Sequence, residues 1–216
     1  MGGERHRVRR PHHRAHRAGA AGGAIATLLT FGHGRLDGEG LRSLLTDAGV
    51  GLVVDIRRFP GSRANPAAAR DAIEGELGAA GIDYRWEERL GGRRRLSAEQ
   101  DAASPDGWWR VAAFRAYAAW TRTPEFAAGL RAVLDEAAAR VDAGSADASG
   151  ARTAVMCSEA VWWRCHRRVV ADVATALHGA EVLHLMHDGS LRAHPLSETA
   201  TAARGEVRWP PAPAGA

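Results

Sequence analysis

The stretch VMCSEAVWWRCHRR, residues 155–168, concentrates most of the reactive side chains of the sequence. It holds both cysteines, Cys157 and Cys165, with Glu159 two residues after the first and His166 directly after the second. Four chemistries suit that pattern. Cys157, Cys165 and His166 offer ligands to a divalent metal such as zinc, with Glu159 or water as a further ligand, although the step between the cysteines is wider than in a zinc knuckle. A thiolate at a strand end or helix start can act as a nucleophile with His166 or His33 as its base. A disulfide is a third arrangement, and a small, buried, inert thiol a fourth. Glu159 stands just past an apolar strand, where burying a lone carboxylate is costly. It therefore either pairs with Arg57, Arg63 or Arg167, or serves as a general base or nucleophile.

A second segment, VVDIRRFPGSRANP (residues 53–66), has the same character. Asp55 at a strand end can orient a histidine, hold a ribose hydroxyl or cap a neighbouring loop. Arg57 and Arg63, with Ser62 just before the latter, make a clamp for phosphate or carboxylate through their planar forks. The plain alternative is an arginine-rich surface loop. Gly91 and Gly92, followed by Arg93, Arg94 and Arg95, bring backbone amides towards an anion, a weak signal on its own. The pairs Trp108-Trp109 and Trp162-Trp163 fall in loops. Beside arginines such rings suit a stacked base, and they equally suit the cover of a core edge. No P-loop, GxGxxG, GxSxG or HExxH motif occurs, which argues against the commonest nucleotide-binding, hydrolase and zinc-protease classes.

These side chains need elements to position them. Apolar and β-branched runs at 25–31, 51–56, 82–86, 152–157 and 181–186 read as strands. Helical spacing at 36–48, 66–80, 109–121, 124–141 and 167–177 alternates with them. Residues 87–108 show no period and read as a long loop, 142–151 as a linker, and the chain from Leu196 as a partly ordered helix with a loose end. Alternation of this kind predicts an α/β fold: one three-layer domain, with a mostly parallel sheet of about five strands flanked by helices. Ligands bind such sheets at the strand carboxyl ends. His33, Asp55, Arg57, Cys157 and Glu159 all fall there, and Tyr84 lies in the third strand.

With 216 residues, 45% hydrophobic and 25% charged, the chain suits one domain with a proper core. No apolar run is long enough to span a membrane. The pI near 10 is misleading. Residues 1–24 carry six arginines against one acid, so with a net charge of +4 the remainder is close to neutral. The expected division is a basic disordered tail at 1–24, the α/β domain at 25–196 and a loosely ordered tail at 197–216. Two cysteines without a secretory signal point to free thiols in a reducing cytoplasm.

The motif order T-x-G-H (Thr30, Gly32, His33), V-D-I-R-x-x-P-x-S-R (residues 54–63), G-I-x-Y (81–84), L-G-G-R (90–93), F-x-x-Y (114–117) and M-C-x-E…C-H-R resembles the domain-of-unknown-function 488 family. The likeness spans about residues 25–196 and is specific as a set. Gly34 departs from it, because many members carry a hydroxyl residue there. The resemblance implies the fold and the site and names no reaction. The leading expectation is a cytoplasmic enzyme acting on an anionic, nucleotide-like or nucleic-acid substrate. Arg57, Ser62, Arg63, Tyr84 and Arg167 would hold the anion. Cys157 and Glu159 would stand nearest the chemistry, His33 or His166 would move protons, and Asp55 would orient one of them. The alternative is a non-catalytic module that holds a metal or a nucleic-acid end.

Overall fold

Three mostly apolar runs end side by side at the middle of one sheet, because a strand covered on both faces has little room for a polar side. The structure, a computed structural model, describes residues 26–61, 65–143 and 152–213. The basic tail, most of the linker, Ser62 and Arg63 lie outside the described residues. The six-stranded sheet has the order β3-β2-β4-β1-β5-β6. Strands β1 (Thr27–Gly32), β2 (Val50–Asp55) and β4 (Arg152–Cys157) are buried almost throughout. They run parallel to β3 (Asp83–Trp86) and β5 (Glu181–Leu185), and only β6 (Leu191–Ala193) pairs antiparallel. The α/β expectation therefore holds, with one short edge strand more than the sequence showed.

Register brings the carboxyl ends level. Gly32 lies opposite Cys157, and Asp55 opposite both Met156 and Trp86. Pairing continues past the strands, since the amide of His33 donates to the Cys157 carbonyl (3.0 Å) and that of Ile56 to Met156 (2.9 Å). The loops that follow are thus fixed from their first residue.

Helices cover both faces. On one, α1 (Gly38–Asp47) is capped by Asp37 and buries Leu41, Leu44 and Leu45, beside α2 (Arg70–Ala79), which buries Ile73 and Leu77. The other face takes α4 (Ala112–Trp120), α5 (Pro124–Ala143) and α6 (Arg167–His178), which share a core with Val54, Val155 and Val182. The crossovers after β1 and β2 use the first face and those after β3 and β4 the second. Because β4 sits between β1 and β2, chains leaving neighbouring strands turn to opposite faces, and a crevice opens at their ends.

Two differences from the sequence reading have simple causes. The aperiodic stretch at 87–108 holds a five-residue helix, α3 (Ala98–Ala102), too short to show a period. Its readable sign is the capping box of Ser97 and Gln100. After Leu196 the chain forms not a helix but a hairpin, β7 (Thr201–Ala203) and β8 (Glu206–Arg208). Its turn residues Arg204 and Gly205 both have positive φ, as tight two-residue hairpins require. Trp209 follows and is fully buried, its ring N–H donating to Asp172 (2.8 Å) and its amide to Asp106 (3.3 Å). Trp209→Ala is expected to destabilise the fold by about 3–5 kcal/mol in urea denaturation. A loss below about 1 kcal/mol would show that the C-terminal segment is not part of the core.

Candidate functional site

The end of β2 carries a buried ion pair. Asp55 accepts hydrogen bonds from the Arg57 amide (2.9 Å), from its Nε (2.9 Å) and Nη2 (2.5 Å), and from the Tyr84 hydroxyl (2.7 Å). Arg57 also donates to the Ala68 carbonyl (2.6 Å) and to Nε2 of His33 (3.3 Å). His33 donates through Nδ1 to the Gly34 carbonyl (3.0 Å), so both ring nitrogens are engaged. Burial, and then the Arg57 charge, hold its pKa below the ordinary histidine value. Burial and Asp55 push the Tyr84 phenol up. These four residues form one closed network behind the site, and the inward-turned guanidinium of Arg57 is satisfied by protein groups.

The two thiols are free and buried. His166 Nδ1 stands 3.7 Å from the Cys157 sulfur and 3.6 Å from that of Cys165. All three ligand atoms lie within 4.8 Å of one another. His166 Nε2 donates to the Ile56 carbonyl (3.2 Å), which leaves Nδ1 facing both sulfurs. The ring is held further by the edge of Tyr117 and by Gly92, where a Cβ would come 2.9 Å from Nδ1. A tetrahedral zinc with ordinary Zn–S and Zn–N lengths has S···N edges of about 3.5 Å, so the triangle fits such an ion. The pair of thiols is uneven. The hydrogen bond to Cys165 and burial push the Cys157 thiol well up, while Cys165, although burial opposes it, is brought well down by Cys157 and His166.

A cleft of about 450 Å³ opens over this triangle. Glu159 lines it with Arg58, Arg93 and Arg164, and none of the four forms an ion pair among the described residues. Glu159, expected from sequence to be a buried charge, has an exposed side chain, because the chain turns outward after Cys157. What is buried is its carbonyl, which accepts from Nη2 of Arg167. Gly32 makes that approach possible, since a Cβ there would sit 1.8 Å from the Glu159 oxygen.

Arg167, only 1% exposed, points beneath the 158–165 loop rather than into the cleft. Its Nη1 donates to Thr30 (3.5 Å), and there a chain of side chains begins. The Thr30 hydroxyl meets His184 Nδ1 (2.7 Å), His184 Nε2 meets His194 Nδ1 (3.0 Å), and His194 Nε2 meets Asp172 (2.9 Å). Asp172 is the terminal acceptor of this chain, taking the hydrogen bond from His194 Nε2. Trp162 stacks flat on His184 at 4.1 Å. Burial and then His194 lower the His184 pKa to about 3.

Of the residues singled out from sequence, Cys157, Cys165, His166 and Glu159 meet in the cleft. His33, Asp55, Arg57 and Tyr84 form the network behind it, and Arg167 lies below the loop. Sequence reasoning passed over Arg58 and Arg164, the chain neighbours of Arg57 and Cys165. It also missed the relay, whose sign was a lone polar residue in each of two apolar runs: His184 in EVLHLM and Asp172 in VVADVA.

Both His33 and His184 have lowered pKa values in the folded protein, that of His184 to about 3, whereas the unfolded chain takes up these protons at about pH 6.5. The His184 contribution is therefore complete above about pH 6.5 and is lost progressively as pH falls towards about 3, the window above about pH 5 lying clear of the carboxylate range. His184→Gln is expected to flatten the wild-type slope there by up to about 1.4 kcal/mol per pH unit, read by urea denaturation across the window. An unchanged slope would show that His184 is not held neutral.

Among curated proteins and among solved structures, nothing matches the chain at a significant level. The family model described as "Domain of unknown function DUF488" matches residues 39–174, more than half of the sequence. That span takes in Asp55, Arg57, Cys157, Glu159, Cys165, His166 and the cleft arginines, and the chain accordingly belongs to the DUF488 family.

Proposed function

We propose that the cleft is the active site of a metal-dependent enzyme acting on an anionic substrate. In this reading Cys157, Cys165 and His166 hold a divalent ion of the zinc class. One observation carries it: two sulfurs and a ring nitrogen stand 3.6 and 3.7 Å apart, with the other ring nitrogen tied to a carbonyl. Such an outer hydrogen bond fixes the tautomer and the ring orientation that a ligand histidine needs. Three protein ligands on the wall of an open cleft leave a further position for substrate or water, the pattern of catalytic rather than structural zinc. An ion there supplies Lewis acidity to an oxygen at that position.

The chain's own residues do the rest. Arg58, Arg93 and Arg164 attract and orient the anion in a cleft whose lining holds one acid. That acid, Glu159, stands two residues from Cys157 with its carboxylate free to accept and return a proton. Arg57 and Arg167, nominated from sequence as anion holders, are scaffold in this reading, because their guanidinium groups are buried against protein acceptors. Free buried thiols suit a reducing compartment, which favours the cytoplasm.

Elemental analysis of the protein as purified should find about one metal ion per chain, absent from Cys165→Ser and His166→Ala. Glu159→Gln should keep the metal and leave the thermal midpoint within about 1 °C, since an exposed carboxylate without an ion pair contributes little stability. A metal-free wild type in which both thiols titrate, with a midpoint indifferent to chelator, would contradict the proposal.

A further inference from the structure

A second cleft of about 690 Å³ adjoins the first, and Val111 and Phe114 belong to the walls of both. Its other walls include Trp108, Trp163, Arg110 and Arg168, with one acid, Glu198. Trp163 is 47% exposed on a 3-10 turn between the two cysteines, and the next residue, Arg164, lines the first cleft. One turn therefore sets a bare aromatic ring on one side and a guanidinium on the other. Arg168 lies 4.9 Å over the Trp108 ring and 5.1 Å over that of Trp109. Its side chain makes no hydrogen bond or ion pair among the described residues, and its Nε is buried without a partner. A half-buried guanidinium held on two rings, with no carboxylate or carbonyl bound to it, keeps its outer donors for an acceptor edge placed beside those rings.

We infer that the second cleft is the base subsite of a nucleotide-bearing substrate: the base stacks on Trp163 and turns an acceptor edge to Arg168. Its phosphate lies in the first cleft against Arg58, Arg93 and Arg164. This deepens the proposed function, and the phosphate end rests on that reading. Every base has a face that stacks on an aromatic ring, and an arginine fork matches paired acceptors on a base edge. An apolar peptide would leave Arg110 and Arg168 of this wall without acceptors. A bare inorganic anion would leave the exposed face of Trp163 unused.

Isothermal titration calorimetry on the full chain tests this at about 0.3 M salt, which suppresses nonspecific binding by the arginine-rich N-terminal residues. The probes are a 5′-mononucleotide, a single-stranded hexanucleotide and inorganic phosphate. Both nucleotide probes should bind more tightly than phosphate. Trp163→Ala should weaken them by about tenfold or more, leaving phosphate binding and metal content unchanged. Arg168→Gln should weaken them as well. Tighter binding of the hexanucleotide than of the mononucleotide names a strand as the source of the base, and equal binding names a free nucleotide. Wild-type affinity in both variants, or phosphate binding as tightly as nucleotide, would overturn the inference. Nucleotide binding that persists in a metal-free Cys165→Ser protein would leave the base subsite standing and count only against a metal contribution to binding.

Discussion

A guanidinium buried at the end of a parallel sheet is costly unless its charge is answered, and the arrangement around Arg167 answers it over a distance. Carbonyls of Glu159 and Ala160 take one side of the group, and Thr30 takes the other. From Thr30 the chain of donors passes through His184 and His194 to the buried carboxylate of Asp172. Arg167 and Asp172, with no direct contact, are thus joined through a hydroxyl and two imidazole rings. Asp172 also accepts from the Ser197 amide and the Trp209 ring, so the same carboxylate anchors the C-terminal segment. The loop that joins the two cysteines and the hairpin that closes the fold hang from opposite ends of one line of hydrogen bonds.

The consequence for the cleft is rigidity. The 158–165 loop cannot lift without exposing Arg167, and it cannot close further because Gly32 already touches Glu159. On the other side, the Asp55–Arg57 pair and the bond from His166 to Ile56 hold β2 against the ring that faces the thiols. Positions fixed in this way suit a centre whose ligands must be in place before an ion or a substrate arrives. The mobile chemistry is left to the exposed side chains of Glu159, Arg93 and Arg164 and to the half-buried Arg58, which are free to meet a ligand.

Much of the fold was legible because its signals are local. The continuous apolar runs of β1, β2 and β4 and the leucine face of α1 have few other readings, and their order implies the crevice. The cysteine–histidine triangle was legible as a set of residue types. The orientations were not. Glu159 faces water and Arg167 does not, although they flank the same loop, because the turn after Cys157 reverses which groups point inward. The relay was hidden for another reason. Thr30, Asp172 and His184 come from three separate elements and His194 follows β6, and only the sheet order brings them within hydrogen-bond reach. The hairpin at 201–208 was lost because three-residue strands are too short to show alternation.

The central claim is that two cysteines and one histidine of this cleft hold a metal with an open position. X-ray absorption at the zinc edge, recorded on protein purified without added metal, tests it most directly. The account predicts a first shell of two sulfurs at about 2.3 Å and two lighter atoms at about 2.0–2.1 Å, one of them from an imidazole. A shell of nitrogen and oxygen alone, or the absence of stoichiometric zinc with no other metal in its place, would contradict it.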